Sequence, residues 1–258
     1  MFNDERQNKI LELIDSVGRV EVTSLSESLN VSLDTVRRDL KKLEKEGLLK
    51  RTHGGAVRLK PIGDAFDYAT RKRIHSKEKM QIAKIAASYI KDHDSILIDG
   101  STTISALLPY LVEKHGLSVF TNNVQVACEL QKINASIKIF MIGGILDEEH
   151  GSAISHDTVA YIDKLNVNKV FIGSCSISLK RGLSASEVED ASVKKAMLKA
   201  GEEIFILADH TKFTRESMVH IADLEPTYKI VSDKGLVEMY EDVYLELLKK
   251  KLDVTIAD

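Results

Sequence analysis

The sequence predicts an α/β protein in two parts: a small helical N-terminal domain ending in a β-hairpin, and a larger C-terminal α/β domain with a mostly parallel sheet. Three observations carry this expectation. The first 60 residues show short helical periods broken by turn signals. The remainder alternates β-branched runs with helical stretches, and its strands are apolar enough to be buried on both faces. A chain of 258 residues with 43% hydrophobic content can fill one large or two ordinary cores. The same composition excludes collagen-like, coiled-coil and disordered classes. A formal net charge of -3 argues against a uniformly basic nucleic-acid coat but leaves local patches open. The two cysteines, Cys128 and Cys175, form no CxxC pair, so neither a disulfide framework nor a thiolate zinc site is expected and a reducing cytoplasm fits. The chain is polar from its third residue and has no window of 18 uncharged apolar residues, so neither a signal peptide nor a membrane span is expected.

In the N-terminal part, Ile10, Leu11, Ile14 and Val17 recur at helical spacing and Gly18 stops that helix. Val20 and Val22 alternate with polar residues like a short strand, and a second helix turns Leu25 and Leu29 inward. Ser32 can cap a third helix whose Val36, Leu40 and Leu43 form one apolar stripe before Gly47. At 100° per residue, Arg38, Lys41, Lys42 and Lys45 project away from that stripe, with Arg37 on its flank. Nine basic residues against four acidic ones between 34 and 60 give a local balance of +5. Leu48 to Arg51, the turn Thr52-His53-Gly54-Gly55 and Ala56 to Leu59 then read as a hairpin wing whose tip glycines allow close approach to phosphate. Three helices plus a wing make a winged helix-turn-helix domain over 1–60, followed by a linker over 61–74 containing Pro61 and Gly63.

Over 75–258 the expected strands are 95–98, 117–121, 137–142, 169–172, 203–207 and 229–231, with helices near 76–91, 103–114, 123–132, 152–164, 187–200 and 236–250. In such a sheet ligands bind beyond the carboxyl ends of the strands. The first of these ends is Asp99-Gly100-Ser101-Thr102-Thr103, where a glycine, hydroxyls and a helix start resemble a phosphate cradle. Ser101 or Thr102 as a plain helix cap reads that motif equally well. Thr121, Asn122 and Asn123 follow the second strand and suit sugar hydroxyls, and Gly143-Gly144 follow the third and admit a ligand to the backbone. Asp209 and Lys212 follow the fifth, a carboxylate for a hydroxyl and a cation for phosphate. There is no Walker A motif, no GxGxxG follows a strand, and His150, His156 and Asp157 lack metal-ligand spacing, so neither cofactor nor metal is expected. Cys175, between Ser174 and Ser176, has no neighbouring base and reads as an inert thiol.

The run Val31-Ser32, Asp34 to Leu40, Leu43, Gly47 to Leu49, Arg51 and His53 to Ala56 resembles the N-terminal signature of the DeoR family of bacterial transcriptional regulators. Glu78-Lys79, Ile82-Ala83, Asp99 to Thr103, Thr121-Asn122, Gly143-Gly144, Gly182-Leu183 and Asp209 to Phe213 continue the resemblance over nearly the whole chain. It implies a regulator of sugar metabolism, usually a repressor. Its Rossmann-like sensor domain would be related to ribose-5-phosphate isomerase, with Gly100 to Thr103 holding a phosphate and Asp209 and Lys212 assisting.

Isomerases of this kind need acidic residues after the strand that here ends in Gly173-Ser174-Cys175-Ser176, where this chain has none. Proton transfer between carbons needs a base, so binding without turnover is expected. The stretch also departs from the regulators, which commonly have Asp and Gly near Cys175 and Ser176. Ser32, Thr35, Arg37, Arg38, Lys41, Arg51 and His53 are the expected contacts to double-stranded operator DNA. A phosphorylated sugar is the expected effector, and a homodimer or homotetramer the expected assembly, because one small module binds DNA weakly. The alternatives are an isomerase-like enzyme with a DNA-binding appendage, and a winged helix used for protein contacts.

Overall fold

Apolar side chains at helical spacing close a small N-terminal core. The computed structural model describes residues 3–46, 48–58, 68–133, 136–148, 150–213 and 215–258, and the chain divides into units 1–74 and 75–258. In the first unit, α1 (Asn3–Val17), α2 (Val22–Leu29) and α3 (Leu33–Lys45) bury Ile10, Ile14, Leu25, Leu29, Val36, Leu40 and Leu43 together. Each such aliphatic side chain contributes on the order of 1.5–3 kcal/mol by leaving water. Between α2 and α3, Asn30 takes the left-handed conformation at φ 51°, which Asn tolerates better than most residues. The Ser32 hydroxyl then accepts the Thr35 amide and caps α3.

The wing forms as an antiparallel pair of β2 (Leu49–Arg51) and β3 (Gly55–Arg58), but it has a third strand. β1 (Arg19–Glu21) pairs with the other edge of β3, Glu21 opposite Gly55. The expected strand through Val22 therefore stops at Glu21, where α2 begins. This pairing corrects the reading of the wing glycines. A Cβ on Gly55 would lie 1.8 Å from the Val20 carbonyl oxygen, so the glycine is required by strand contact, while Gly54 faces open space. Gly47, Leu59, Lys60 and the linker residues 61–67 lie outside the described residues. The rest of the expected linker is not irregular: Tyr68–Arg73 is helical (α4), as its good helix formers Ala69, Arg71 and Lys72 allow.

The second unit is a three-layer α/β fold. Its elements are, in order, α5 (Ser76–Ser88), β4 (Ser95–Ile98), α6 (Thr102–Ser105), β5 (Ser118–Thr121), α7 (Val124–Ile133), β6 (Lys138–Met141), β7 (Leu146–Asp147), β8 (Ser152–Ala153) and α8 (His156–Ile162). There follow β9 (Val167–Gly173), β10 (Ser176–Ser178), β11 (Gly182–Ala185), α9 (Val188–Lys199), β12 (Gly201–Leu207), β13 (Val219–Ala222), β14 (Tyr228–Asp233), α10 (Gly235–Met239), α11 (Glu241–Lys249) and β15 (Asp253–Ala257). The main sheet has seven strands in the order β15-β14-β12-β9-β4-β5-β6, every pair parallel. Strand residues alternate between two cores: Ile96, Ile98, Phe171, Phe205 and Leu207 face α5 to α7, while Leu97, Val170, Ile172, Ile204 and Ile206 face α8, α9 and α11.

All six expected strands lie in the main sheet, where β15 adds a seventh; β7 with β8, and β10, β11 and β13, form two small sheets outside the expected set. The helix expected over 103–114 is split into α6 and a 3-10 turn at Leu108–Leu111, because Pro109 cannot donate a helical hydrogen bond. The helix expected over 152–164 starts only at His156, since Ser152 and Ala153 pair with β7 and Ser155 supplies a capping box. The helix expected over 236–250 breaks at Tyr240, whose φ of -138° and ψ of 45° are not helical. No helix among the described residues is long and apolar enough to cross a membrane.

Candidate nucleic-acid interface and strand-end site

The stripe that buries Val36, Leu40 and Leu43 turns the opposite side of α3 to solvent. Arg37, Arg38 and Lys41 are exposed there, and Thr35 is half-buried. Arg37 pairs with Asp34 at 3.1 Å, with both side chains more than half exposed. Among the described residues no ion pair engages Arg38 or Lys41. The Ser32 hydroxyl meets the Thr35 hydroxyl at 2.9 Å as well as capping the helix. Arg51 is exposed on β2, where its amide donates to the Glu44 carboxylate at 2.8 Å and ties the wing's base to α3. His53 is exposed in the turn.

A feature the periodicity hid lies on the inner flank of α3. Asp39, 4% exposed, accepts from Arg6 Nε at 2.6 Å, Arg6 Nη2 at 3.1 Å and Gln7 Nε2 at 3.1 Å. A charged residue within an apolar stripe is the signal that could have revealed it, because a buried carboxylate needs a partner.

In the second unit the parallel order puts every strand's carboxyl end on one edge of the sheet. The chain leaves β4 toward β5 on one side, and β9 continues toward β12 on the other, so β4 and β9 flank a topological switch point. Asp99 staples it: one carboxylate oxygen accepts the Ser101 amide at 2.9 Å and the other the Gly173 amide at 3.0 Å. Lys194 reaches to 3.9 Å from Asp99 and 2.8 Å from Asp190. Burial pushes the Asp99 carboxyl up against the opposing pull of Lys194. Burial pulls Lys194 down, but the neighbouring Asp190 carboxylate, at hydrogen-bond distance, and Asp99 outweigh it and hold the ammonium well above its ordinary range. The cation near Cys175 comes from α9, a partner no local sequence window shows.

Gly100 is needed for close approach within the fold, since a Cβ there would meet Asn123 Nδ2 at 2.3 Å and Ser152 Oγ at 2.6 Å. The Ser101 hydroxyl accepts the Ile104 amide as a cap, and Thr102 and Thr103 are buried. Thr121 Oγ1 accepts the Asn123 amide at 3.2 Å. Asn123 is committed internally, donating to His150 O and Ser152 Oγ and accepting from the Val126 amide. Asn122 differs: its Nδ2 donates to Ala153 O at 2.9 Å, while its buried Oδ1 has no hydrogen-bond partner among the described residues. Gly143 and Gly144 are exposed; the Gly143 carbonyl accepts the Thr158 hydroxyl at 2.9 Å.

Asp209 is buried and its Oδ1 accepts the amide and the hydroxyl of Thr211. Burial alone would raise this carboxyl, but Lys212, His75 and Lys79, together with the Thr211 hydrogen bond, hold it far below the usual range. Lys212 is half-buried beside it. The sequence reading missed Lys79 as a site residue, although it is 5% exposed and sits on α5 within reach of Asp209's charge. It also missed His210, whose Nδ1 meets Asp233 Oδ2 at 2.7 Å. The other histidine of note, His150, meets Asp147 rather than His156.

A three-helix winged unit with a basic outward helix, joined in one chain to a doubly wound α/β unit with a polar switch point, defines a helix-turn-helix regulator carrying a second, sensory domain. Residues 6–61 match the model of the DeoR-like helix-turn-helix domain, and residues 74–234 match that of the DeoR C terminal sensor domain. The chain belongs to the DeoR family of DNA-binding transcriptional regulators. It is 34% identical over 236 residues to the uncharacterized HTH-type transcriptional regulator YulB of Bacillus subtilis, covering 92% of this chain and 91% of that one. It is 32% identical to the transcriptional repressor AccR of Agrobacterium fabrum, covering 97% and 98%. It is likewise 32% identical to the glycerol-3-phosphate regulon repressor of Haemophilus influenzae, covering 96% and 95%. Among solved structures, ribose 5-phosphate isomerase A of Methanocaldococcus jannaschii aligns with 54% of the chain and 55% of its own length, at 14% identity and a TM-score of 0.40.

Proposed function

We propose that this regulator is a cytoplasmic repressor of a sugar-metabolism operon, that it acts as a homodimer or homotetramer, and that a phosphorylated sugar sets its grip on operator DNA. The observation that carries the DNA-binding half is the outward face of α3, where Arg38 and Lys41 stand exposed with no ion pair among the described residues. Thr35, Arg37, Arg38 and Lys41 would lie nearest the major groove, with Ser32 at the helix start, and Arg51 and His53 of the wing would meet the backbone. If each protomer neutralises about four phosphates, a dimer's log-log salt slope is roughly -7.

The effector half is supported by one unmet group at the strand ends: the buried Asn122 Oδ1 lacks a donor that a sugar hydroxyl would supply. Lys212, half-buried beside Asp209, is the cation this reading gives the phosphate. The reading gives Gly100, Ser101, Thr102 and Thr103 the phosphate, and Thr121, Asn122, Gly143 and Gly144 the sugar. Asp99, Asn123 and Asp209 shape the site more than they touch the ligand, because their polar atoms are engaged by the protein. Turnover is not part of this reading: the loop after β9 carries Ser174, Cys175 and Ser176, and the Ser174 hydroxyl is turned to the Ser176 carbonyl. The names of the relatives AccR and the glycerol-3-phosphate regulon repressor favour repression. Two substitutions test the halves separately. Arg38→Ala should abolish binding to the protein's own upstream DNA in a gel shift, and Lys212→Ala should remove sugar-phosphate binding by calorimetry. Undiminished operator binding or undiminished sugar-phosphate affinity rejects the corresponding half.

A further inference from the structure

The network around Asp39 borders a groove of about 320 Å³ between α1 and α3. Thr35, Arg38 and Lys42 line it from α3, and Asn3 and Arg6 from α1. At 100° per residue Thr35, Arg38 and Lys42 share the α1-facing flank of the same outward surface that carries Arg37 and Lys41. Three cations, Arg6, Arg38 and Lys42, surround one carboxylate, so the groove keeps an excess of two positive charges. That carboxylate is turned inward: both Asp39 oxygens are taken by Arg6, and one also by Gln7. Gln7 in turn accepts Lys42 Nζ at 3.1 Å, which holds an otherwise flexible ammonium at the rim and leaves it two further donors. Asn3 accepts from both Arg6 and Gln7, at 2.8 and 3.1 Å, so the end of α1 is fastened to the same assembly.

We infer that this groove seats one backbone phosphate of the bound duplex, with Lys42 and Arg38 as its donors and Asp39, Arg6 and Gln7 as the residues that position them. The inference rests on the DNA-binding reading and deepens it. An exposed lysine held by a buried glutamine has lost rotamer freedom before DNA arrives, which lowers the entropy cost of using it. A phosphate held by Lys42 and Arg38 beside the end of α1 also fixes the register in which α3 enters the groove.

The test uses the full chain and its own upstream duplex, with affinity measured between 50 and 200 mM salt. Lys42→Gln should make the log-log slope shallower by about 0.9 per half-site, so that its deficit against wild type shrinks roughly three- to fourfold per half-site over that range. A purely structural role for Lys42 would weaken binding without changing the slope. Replacing single phosphates by neutral methylphosphonates should reveal one position per half-site that weakens wild type and leaves Lys42→Gln unaffected. Asp39→Asn removes a negative charge, which by charge alone would tighten binding; weaker binding with an unchanged circular dichroism spectrum is expected. An unchanged Lys42→Gln slope beside a steep wild-type slope overturns the groove assignment alone, and tighter Asp39→Asn binding overturns the positioning role. A wild-type chain with no salt-dependent affinity for the duplex overturns the DNA-binding reading beneath both.

Discussion

Asp39→Ala tests how the N-terminal unit holds its reading helix. The substitution removes the two contacts to Arg6, at 2.6 and 3.1 Å, and the one to Gln7 at 3.1 Å. Breaking a buried ion pair costs about 3–5 kcal/mol, because the surviving charge is left without its partner. The Arg6 side chain is 12% exposed and recovers some hydration, which places the loss near the lower end. Alanine also returns up to ~0.6 kcal/mol of helix propensity. The expected net loss is about 2–3 kcal/mol, a roughly 30- to 150-fold rise in the opening equilibrium constant at a tenfold change per 1.4 kcal/mol. Hydrogen exchange by mass spectrometry on the full chain reads this in peptides from α1 and α3, while α/β-unit peptides such as those from β9 and β12 stay unchanged. Arg6→Met with Asp39→Leu should recover most of the protection, since an apolar pair of similar volume replaces a buried ion pair at little cost. Exchange in α3 within threefold of wild type after Asp39→Ala would refute the reasoning.

Gly100→Ala should destabilise the C-terminal unit by about 1–3 kcal/mol, the usual cost of overpacking. The new Cβ would stand 2.3 Å from Asn123 Nδ2. An unchanged urea midpoint for that unit would contradict the close approach. His210 gives a pH dependence: burial lowers its pKa, but the Asp233 hydrogen bond and nearby charges overcome this and raise it. A raised folded-state value means stability fully present below the ordinary histidine pKa of about 6.5 and lost as pH climbs through the folded value. His210→Gln should therefore flatten the fall in melting temperature on the alkaline side of pH 6.5; an equal fall in both proteins would dismiss the His210–Asp233 pair as its source.

What could be read from the chain and what could not follow from the range of the interactions. Val36, Leu40 and Leu43 announce α3 because helical period is local, and Ser32 announces its start for the same reason. The strands around Phe171 and Phe205 were visible because both faces are buried, giving unbroken apolar runs. β15 was not, since an edge strand with only Ala257 buried carries no such run. The pairing of β1 with β3 depends on contacts between residues 19–21 and 55–57, and no short window contains both. The strand-end loops of the candidate site were legible as a set through their polar residues. Their division of labour was not, because Lys194 and Lys79 enter from helices far along the chain and Asn123 turns out to serve the fold. Arg6 and Asp39, 33 residues apart, meet only in three dimensions.

The central claim is that a phosphorylated sugar in the C-terminal unit alters the affinity of the N-terminal unit for DNA. The most direct measurement is fluorescence anisotropy of the full chain on its own upstream duplex, titrated with a panel of sugar phosphates at fixed salt. At least one compound should shift the Kd by about 5- to 150-fold, the range of an ordinary coupling free energy, and Lys212→Ala should erase that shift while leaving the unliganded Kd unchanged. A Kd that stays constant across the panel, or a Lys212→Ala protein that responds as wild type does, contradicts the account.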